Sequence, residues 1–148
     1  MPAIADPVSR LLGIRASGPL PLMSAVENGL PLAALDRVVR SVAPSDSKFA
    51  FRIVARATLA RRRKASADAT VRGGSRLSAE EGTRLARLAG VWTAALDVWG
   101  SEEAARRFMF EPHALLHGRR PVDVVLENEL GRPVVEGILG RLKYGSAV

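Results

Sequence analysis

Five basic residues lie within nine positions of this chain, in the segment 56–64, which reads Arg-Ala-Thr-Leu-Ala-Arg-Arg-Arg-Lys and contains no acid. Guanidinium and ammonium groups at this density bind polyanions, of which phosphate is the most common. Arginine also makes bidentate contacts with phosphate and with guanine that lysine does not make. The segment therefore predicts contact with phosphate groups.

The positive charge of the chain belongs to one region. The formal net charge is +7, and residues 37–76 alone hold eleven Lys and Arg against two Asp. Residues 1–36 and residues 77–148 each sum to −1. Such a local concentration of positive charge indicates that this region binds a partner, and we expect the partner to be nucleic acid. The alternative is that the basic run is only the solvated face of a helix.

On a helix, the basic segment would present its side chains to the groove of a DNA duplex. A threonine near its start could hydrogen-bond a phosphate, while one or two arginines reach bases and the others hold phosphates. The predicted DNA-binding residues are Arg56, Thr58, Arg61, Arg62, Arg63 and Lys64. Binding of this kind should weaken steeply as salt rises.

Only one group of side chains has the spacing of metal ligands. His113 and His117 stand four apart beside Glu111, but Pro112 and Gly118 indicate a loop there. The chain has no other histidine and no cysteine. We therefore predict no metal site.

Nothing else in the sequence predicts an active site or a cofactor. Glu102 and Glu103 fall in the first turn of a predicted helix, where carboxylates stabilise the helix dipole. The glycines lack the strand-to-helix setting of a phosphate loop, and without cysteine there is no thiol chemistry. We expect a protein that is not an enzyme. We also expect it in the cytoplasm and away from membranes, since no signal pattern or apolar run of about 18 residues occurs.

Proline and glycine divide the first half into short helices. Asp6-Pro7 is an N-cap pattern for a helix that Gly13 would end, and a second helix is predicted over 21–28. The third helix would bury a stripe of apolar side chains formed by Leu32, Leu35, Val39 and Val42. We expect Ser45 to cap a fourth helix that carries Phe49, Ile53 and Val54. A tight break near Ala55 then leads to the basic helix, which suggests helix-turn-helix geometry.

The second half predicts a longer helix with three shorter ones packed on it. Ser78 and Glu81 form a capping box, and apolar residues then recur at three- and four-residue steps to Trp99. Further helices are predicted from Ser101 to Glu111, from Pro121 to Glu129 and from Pro133 to Gly145, and the tryptophans are expected in the core. No alternating strand pattern occurs, so the predicted fold is all-α: an N-terminal helix-turn-helix-like region followed by a small C-terminal helical domain built on one long helix.

These signals divide the chain into four segments: an arm or short helix at 1–19, a helix-turn-helix region at 20–66, a linker at 67–76 and a helical domain at 77–148. In the last of these, Arg119, Arg120, Lys143 and Tyr144 lie near predicted helix ends. Because Arg and Tyr are common anchors of interfaces, we expect them to meet a protein partner.

A set of local patterns follows in a fixed order along residues 20–148. They are the basic helix, Leu-Ser-Ala-Glu-Glu at 77–81, Arg-Leu-Ala-Arg-Leu at 84–88, Ala104 with Phe108, Gly118 with Pro121, and a terminal glycine. This order resembles the Xre/MbcA/ParS-type antitoxins that pair with RES-domain toxins. Ile53 and Phe49 stand where relatives commonly have a turn glycine and a small residue, and Phe108 where a tryptophan is frequent.

The resemblance implies a type II antitoxin that binds an NAD-degrading toxin, represses their shared operon as a dimer on double-stranded operator DNA, and needs no cofactor. It places the last helix and the tail against the toxin's active site, which adds Leu139, Leu142, Gly145 and the tail to 148 to Lys143 and Tyr144 as toxin-binding residues. Two other readings stay open. The chain could be a stand-alone helical DNA-binding regulator, or a protein-interaction module in which the arginines meet an acidic partner.

Overall fold

In the computed structural model, residues 6–68 and 75–145 are described, and they form helices joined by turns, loops and one isolated bridge. The helices are α1 (Pro7–Leu12), α2 (Pro19–Asn28), α3 (Leu32–Val42), α4 (Arg56–Ala67), α5 (Ala79–Trp99), α6 (Glu102–Phe110), α7 (Pro121–Glu127) and α8 (Gly131–Tyr144). Two 3₁₀ turns cover Phe49–Arg52 and Ala114–Leu116. The predicted all-α fold with one long helix is confirmed. Parts of the predicted arm, linker and tail, at 1–5, 69–74 and 146–148, lie outside the described residues.

The chain forms two compact units, residues 1–86 and residues 87–148, and the division falls within α5. The two units differ in net charge. The first unit has fourteen Lys and Arg against seven Asp and Glu, so the whole net charge of +7 belongs to it, whereas the second has eight of each. The predicted linker at 67–76 and the domain limits around it stay predictions.

The predicted signals for α1 are confirmed. The Asp6 side chain accepts a hydrogen bond of 2.8 Å from the backbone N–H of Ser9, and Gly13 ends the helix with φ +73°. The second oxygen of Asp6 accepts from the backbone N–H of Gly18 at 3.2 Å. One carboxylate therefore caps α1 and also holds the loop that leads to α2.

Helix α3 supplies the core of the first unit. Leu35, Val38 and Val42 are fully buried and Leu32 nearly so, whereas Val39 is half-buried. The predicted buried face of α3 is therefore correct except at one position, where Val38 and not Val39 lies in the core. Helix α2 begins at Pro19, two residues before the predicted start, and buries Val26.

The predicted fourth helix is wrong. The residues expected to form it make a 3₁₀ turn, Phe49–Arg52, instead of an α-helix. The Asp46 side chain accepts from the backbone N–H of Lys48 at 2.9 Å, and such a local bond favours a turn over a helix. Phe49, Ala50, Ile53 and Val54 are all buried around this turn, so their apolar pattern reflects burial on several sides.

The chain that follows the segment 69–74 returns to the connection between α2 and α3. The backbone N–H of Leu77 donates to the carbonyl of Leu30 at 2.8 Å, and the Arg76 guanidinium donates to the carbonyl of Gly29 at 2.9 Å. Pro31 and Arg76 form the isolated antiparallel bridge. These bonds fix the residues that lead into α5.

Helix α5 begins as predicted. The backbone N–H of Ser78 donates to the Glu81 carboxylate at 2.7 Å, and the N–H of Glu81 donates to the Ser78 hydroxyl at 3.2 Å, so the capping box is confirmed. Trp92 is 1% exposed and lies in the core as expected. Trp99 was also expected in the core, but it is 42% exposed, so the prediction is wrong for this residue.

The connection between the last two helices lies two residues earlier in the chain than the sequence suggested. Helix α7 ends at Glu127 rather than Glu129, and α8 begins at Gly131 rather than Pro133. A Cβ atom at Gly131 would overlap the Val124 carbonyl group, lying 2.6 Å from its carbon. Glycine therefore allows the backbone at the start of α8 to lie directly against α7. In the described part of the chain, no helix is both long and apolar enough to cross a membrane.

Candidate functional site

The basic segment forms helix α4, as predicted. Some of its basic side chains bind neighbouring helices, and others face solvent. The helix follows Ala55, which has extended backbone and gives no side-chain cap. Leu59, 3% exposed, is the buried residue of α4, so apolar packing anchors this helix at one point. The helix and its approach are also held by side-chain hydrogen bonds and ion pairs with α3 and α5, which we call ties.

The first tie joins Arg62 to α5. Its guanidinium forms an ion pair and hydrogen bond with Glu81, and the two side chains are only 19% and 14% exposed. Burial by itself would raise the pKa of the Glu81 carboxyl. Hydrogen bonds from Ser78 and the bond from Arg62 outweigh burial, so the pKa lies below its ordinary value. Glu81 therefore caps α5 and holds α4 as a carboxylate.

The second tie joins Arg63 to α3. Both terminal nitrogens of its guanidinium donate to the Asp36 carboxylate, at 2.9 and 3.2 Å. This fork-to-fork hydrogen bonding raises the pKa of Arg63 above its already high value. Each side chain is a little under half exposed, so the pair is open to competition from solvent.

A third tie fixes the approach to α4. The Arg84 guanidinium, on α5, donates to the backbone carbonyl of Ile53 at 2.7 Å, two residues before Ala55. Its other terminal nitrogen pairs with Glu80 at 3.4 Å. Sequence reasoning missed Arg84 and Glu81 as partners of the basic segment, since Glu81 appears there as part of the capping box of α5 and Arg84 as part of the Arg-Leu-Ala-Arg-Leu pattern.

The remaining cations of α4 point away from these ties. Arg61 and Lys64 are exposed, lie one turn apart on the side opposite Leu59, and form no ion pair among the residues that the structure describes. Arg56 is exposed at the start of the helix, where its guanidinium lies 5.7 Å from the centre of the Phe51 ring. Thr58 is half-buried. Of the six predicted DNA-binding residues, three therefore point outward, two are tied to other helices, and Thr58 is half-buried.

The predicted toxin-binding residues fall into two groups within the second unit. Arg119 pairs with Glu127 at 2.5 Å. Arg120 pairs with Asp123 through bonds of 2.7 and 2.9 Å, which raise its pKa, and lies 5.8 Å from the centre of the Phe110 ring. These residues surround the start of α7.

The other group lies at the end of α8. Leu139 is 2% exposed and belongs to the core, whereas Leu142 is about half exposed and Tyr144 is 79% exposed. Lys143 pairs with Asp97, which raises the pKa of its ammonium group, and lies 5.4 Å from the Tyr144 ring centre. Gly145 ends α8 with φ +78°. The exposed apolar groups here are Leu142 and Tyr144.

Among the described residues of the second unit are two apolar grooves that the sequence did not predict. The α8-start groove, about 300 Å³, is lined by Leu115, Leu116, His117, Arg119, Val124, Asn128, Leu130, Gly131 and Val134. The α8-end groove, about 250 Å³, is lined by Trp99, Ala104, Arg107, Phe108, Glu111, Pro112, His113 and Leu142. Each groove contains one predicted toxin-binding residue, Arg119 and Leu142 respectively.

The exposed apolar residues of the α8-start groove could not be found from sequence. Leu115 is 58% exposed, Leu130 is 72% exposed and Val134 is about half exposed. Each lies among turn residues or at the first turn of a helix, where periodicity does not tell an outward side chain from an inward one. In the sequence they look like ordinary core residues.

The histidine segment forms a closed turn. The Nδ1 atom of His113 accepts from the backbone N–H of Leu115 at 3.1 Å, and its ring meets Phe108 edge-on with centres 5.9 Å apart. His117 occupies the left-handed region with φ +56°. Among residues 6–68 and 75–145, no three His, Asp or Glu side chains are grouped as a metal ion would need.

These features describe a helical protein with a basic unit, whose charged helix is held by ion pairs, and a neutral unit with apolar grooves. Residues 94–145 match the family model of the antitoxin Xre/MbcA/ParS C-terminal toxin-binding domain. The match covers about a third of the chain and lies wholly within the second unit. It supports a type II antitoxin with a toxin as its partner. A comparison with curated proteins found no match.

Proposed function

We propose that this chain is a type II antitoxin that covers the active site of a RES-domain, NAD-degrading toxin and, as a dimer on operator DNA, represses its own operon in the cytoplasm. The match of residues 94–145 to a toxin-binding antitoxin domain carries the proposal. A chain with this role acts by occlusion and is not itself an enzyme.

The surface of the second unit supports binding to a protein. Trp99, Leu142 and Tyr144 are exposed by 42%, 48% and 79%. Tryptophan and tyrosine are common energetic anchors of protein interfaces, and burial of leucine adds apolar contact area. Because the unit carries no net charge, burial of these side chains and not long-range attraction is what would hold the toxin.

The first unit supports binding to DNA. It holds the entire net charge of the chain, and α4 contributes five cations without an acid. Arg56, Arg61 and Lys64 are exposed and can reach phosphates. Neutralising phosphates releases counterions, which is the main source of affinity for such a helix.

Toxin neutralisation is tested by co-expressing the chain with the product of an adjacent gene that encodes a RES-domain protein. Growth and cellular NAD are measured for Tyr144→Ala, for Leu142→Asp and for a chain truncated before Lys143. At an interface anchor, Tyr144→Ala should cost about 2 kcal/mol, or roughly 30-fold in Kd.

A matched control is Met23→Ala, which truncates an apolar side chain in the first unit that is 53% exposed, close to the 48% of Leu142. It should neutralise the toxin like the unchanged protein. A truncated chain that still restores growth and NAD would rule out the inhibitory role of the end of α8.

Autorepression is tested by binding to the DNA upstream of the gene. The full chain should bind this duplex more tightly than a mixed-sequence duplex of the same length, and Arg61→Gln should weaken binding to both. Equal affinity for the two duplexes would show that specific autorepression is wrong.

A second function is favoured by the charge distribution alone. A stand-alone DNA-binding regulator would need the basic unit and would use the second unit only to dimerise. The two functions are separated by the co-expression experiment, since the stand-alone regulator should not copurify with the RES-domain protein.

A further inference from the structure

We infer that Arg62 and Arg63 are positioning residues that orient α4 through Glu81 and Asp36, and that Arg56, Arg61 and Lys64 are the side chains of α4 that contact phosphate. The inference rests on the proposed DNA-binding function and deepens it. It changes the role of two arginines that the charge pattern alone assigns to DNA.

Arg62 lies in a mostly enclosed environment and is bound to a carboxylate there. Its side chain is 19% exposed, and its guanidinium is bound to Glu81, which is itself 14% exposed. To reach a phosphate, Arg62 would leave a carboxylate that has little access to water without its cation. Because removing the cation from such a poorly solvated carboxylate is unfavourable, the pair should persist when DNA binds.

Arg63 is bound to a carboxylate through both ends of its guanidinium. Its guanidinium uses both terminal nitrogens on Asp36, in bonds of 2.9 and 3.2 Å. A phosphate approaching this side chain would meet the carboxylate as well, so the pair offers no net positive charge. Arg63 therefore serves the orientation of α4 against α3.

The need for such ties follows from the weak apolar anchoring of α4. Leu59 alone among its residues is fully buried, so apolar packing fixes the rotation of the helix only weakly. The ties to Asp36 and Glu81 leave α4 from opposite sides of Leu59, because positions 62 and 63 flank position 59 on the helix surface. Two ties on either side of one anchor fix the rotation of the helix, and with it the direction of Arg61 and Lys64.

Charge-neutral double variants separate positioning from phosphate contact. Arg62→Gln with Glu81→Gln, and Arg63→Gln with Asp36→Asn, each remove one tie and leave the net charge unchanged. Glutamine at position 81 can still complete the capping box of α5. Arg61→Gln and Lys64→Gln are the comparison variants, because each removes one exposed cation.

The measurement is the affinity of the full chain for the duplex upstream of its gene, and for a mixed-sequence duplex, at salt concentrations from 50 to 200 mM. Each phosphate contact contributes about 0.9 to the slope of log K against log salt, which is roughly a 3.5-fold loss across this range. Arg61→Gln and Lys64→Gln should each lower the slope by about 0.9. The double variants should bind several-fold more weakly at every salt concentration with the slope of the unchanged protein.

A double variant whose slope falls by about 0.9 would show that its arginine contacts phosphate and would overturn the inference for that residue. A double variant with unchanged affinity and slope would overturn its positioning role. Circular dichroism confirms that each variant is folded, and if the Arg62 and Glu81 variant is not, the more exposed pair of Arg63 and Asp36 decides.

Failure of DNA binding is distinguished from failure of the inference by thermal melts without DNA. If the unchanged protein binds neither duplex, the proposed DNA-binding function is wrong, and with it the phosphate contacts. The ties themselves are then judged from single and double variants of each pair. Melting changes that simply add, with no coupling between the two partners, would overturn the positioning role.

Discussion

Replacing Gly131 by alanine should be among the most damaging small changes in the second unit. An added Cβ would overlap the Val124 carbonyl group, with 2.6 Å to its carbon and 3.1 Å to Cγ1 of the same residue. The carbonyl belongs to the backbone of α7, so it cannot turn aside as a flexible side chain can. Either α7 or α8 must shift, and forced overpacking of this kind costs about 1–3 kcal/mol, occasionally more.

Gly137→Ala is the matched control for this change. Gly137 lies in the same helix, is exposed, and has no atom within 4 Å of the place where a Cβ would stand. Alanine is favoured over glycine in a helix interior by about 1 kcal/mol, so this variant should be more stable than the unchanged protein. The two variants add the same methyl group to one helix and should have effects of opposite sign.

Urea denaturation followed by circular dichroism measures both effects, and thermal melts provide a second reading. For a chain of this size, 1 kcal/mol corresponds to about 2–4 °C in Tm. Gly131→Ala should therefore lower Tm by roughly 2–12 °C, and Gly137→Ala should raise it by about 2–4 °C. If both variants raise stability equally, the close approach of α7 and α8 at Gly131 is wrong.

Three further changes test the packing and electrostatics of the first unit. Leu59→Ala removes the apolar anchor of α4 and should cost about 2–3 kcal/mol, with hydrogen exchange rising throughout α4 before the rest of the unit; unchanged exchange in α4 would contradict the single anchor. Asp6→Ala should cost about 1 kcal/mol in urea denaturation by removing the cap of α1, whereas Asp6→Asn, which can still accept the hydrogen bond, should cost less. Because the pKa of Glu81 is lowered in the folded chain, its contribution is complete above the ordinary pKa of a glutamate and is lost as pH falls through the lowered value. Denaturation measured between pH 6 and pH 3 should therefore show a smaller loss of stability for Glu81→Gln than for the unchanged protein, and identical pH profiles would exclude this role.

The capped starts of α1, α5 and α6 were the part of the fold that the sequence predicted best. Asp6, Ser78 and Ser101 each cap the helix that their local pattern indicated. These signals succeed because a cap is made by a side chain and a backbone group only three residues away. Such information is contained in a few consecutive letters and does not depend on the rest of the chain.

The segment 45–54 could not be predicted for the opposite reason. Phe49 and Ile53 have helical spacing, and Ser45 has the chemistry of a cap. The structure buries Ala50 and Val54 as well, and Asp46 bonds to the backbone of the turn. A short apolar segment that is buried on several sides gives no periodic signal by which a helix and a turn can be told apart.

The candidate sites show the same limit. The cluster of cations in α4 was evident from composition, but its partners Asp36 and Glu81 are 27 and 19 residues from the arginines they bind. Exposed apolar residues such as Leu130 are likewise defined by the absence of a neighbour in space. Sequence therefore identified the kinds of side chain available for binding, and the structure was needed to show which of them are already occupied.

The unequal charge of the two units gives the two proposed activities different physical origins. Counterion release dominates the affinity of a basic unit for DNA, so that affinity should fall steeply as salt rises. Apolar burial dominates the affinity of a neutral unit with open grooves, and it is almost insensitive to salt over the same range. Salt thus acts on one proposed activity and leaves the other nearly unchanged. It follows that loss of DNA binding at high salt is no evidence against toxin binding, and each must be judged from residues of its own unit.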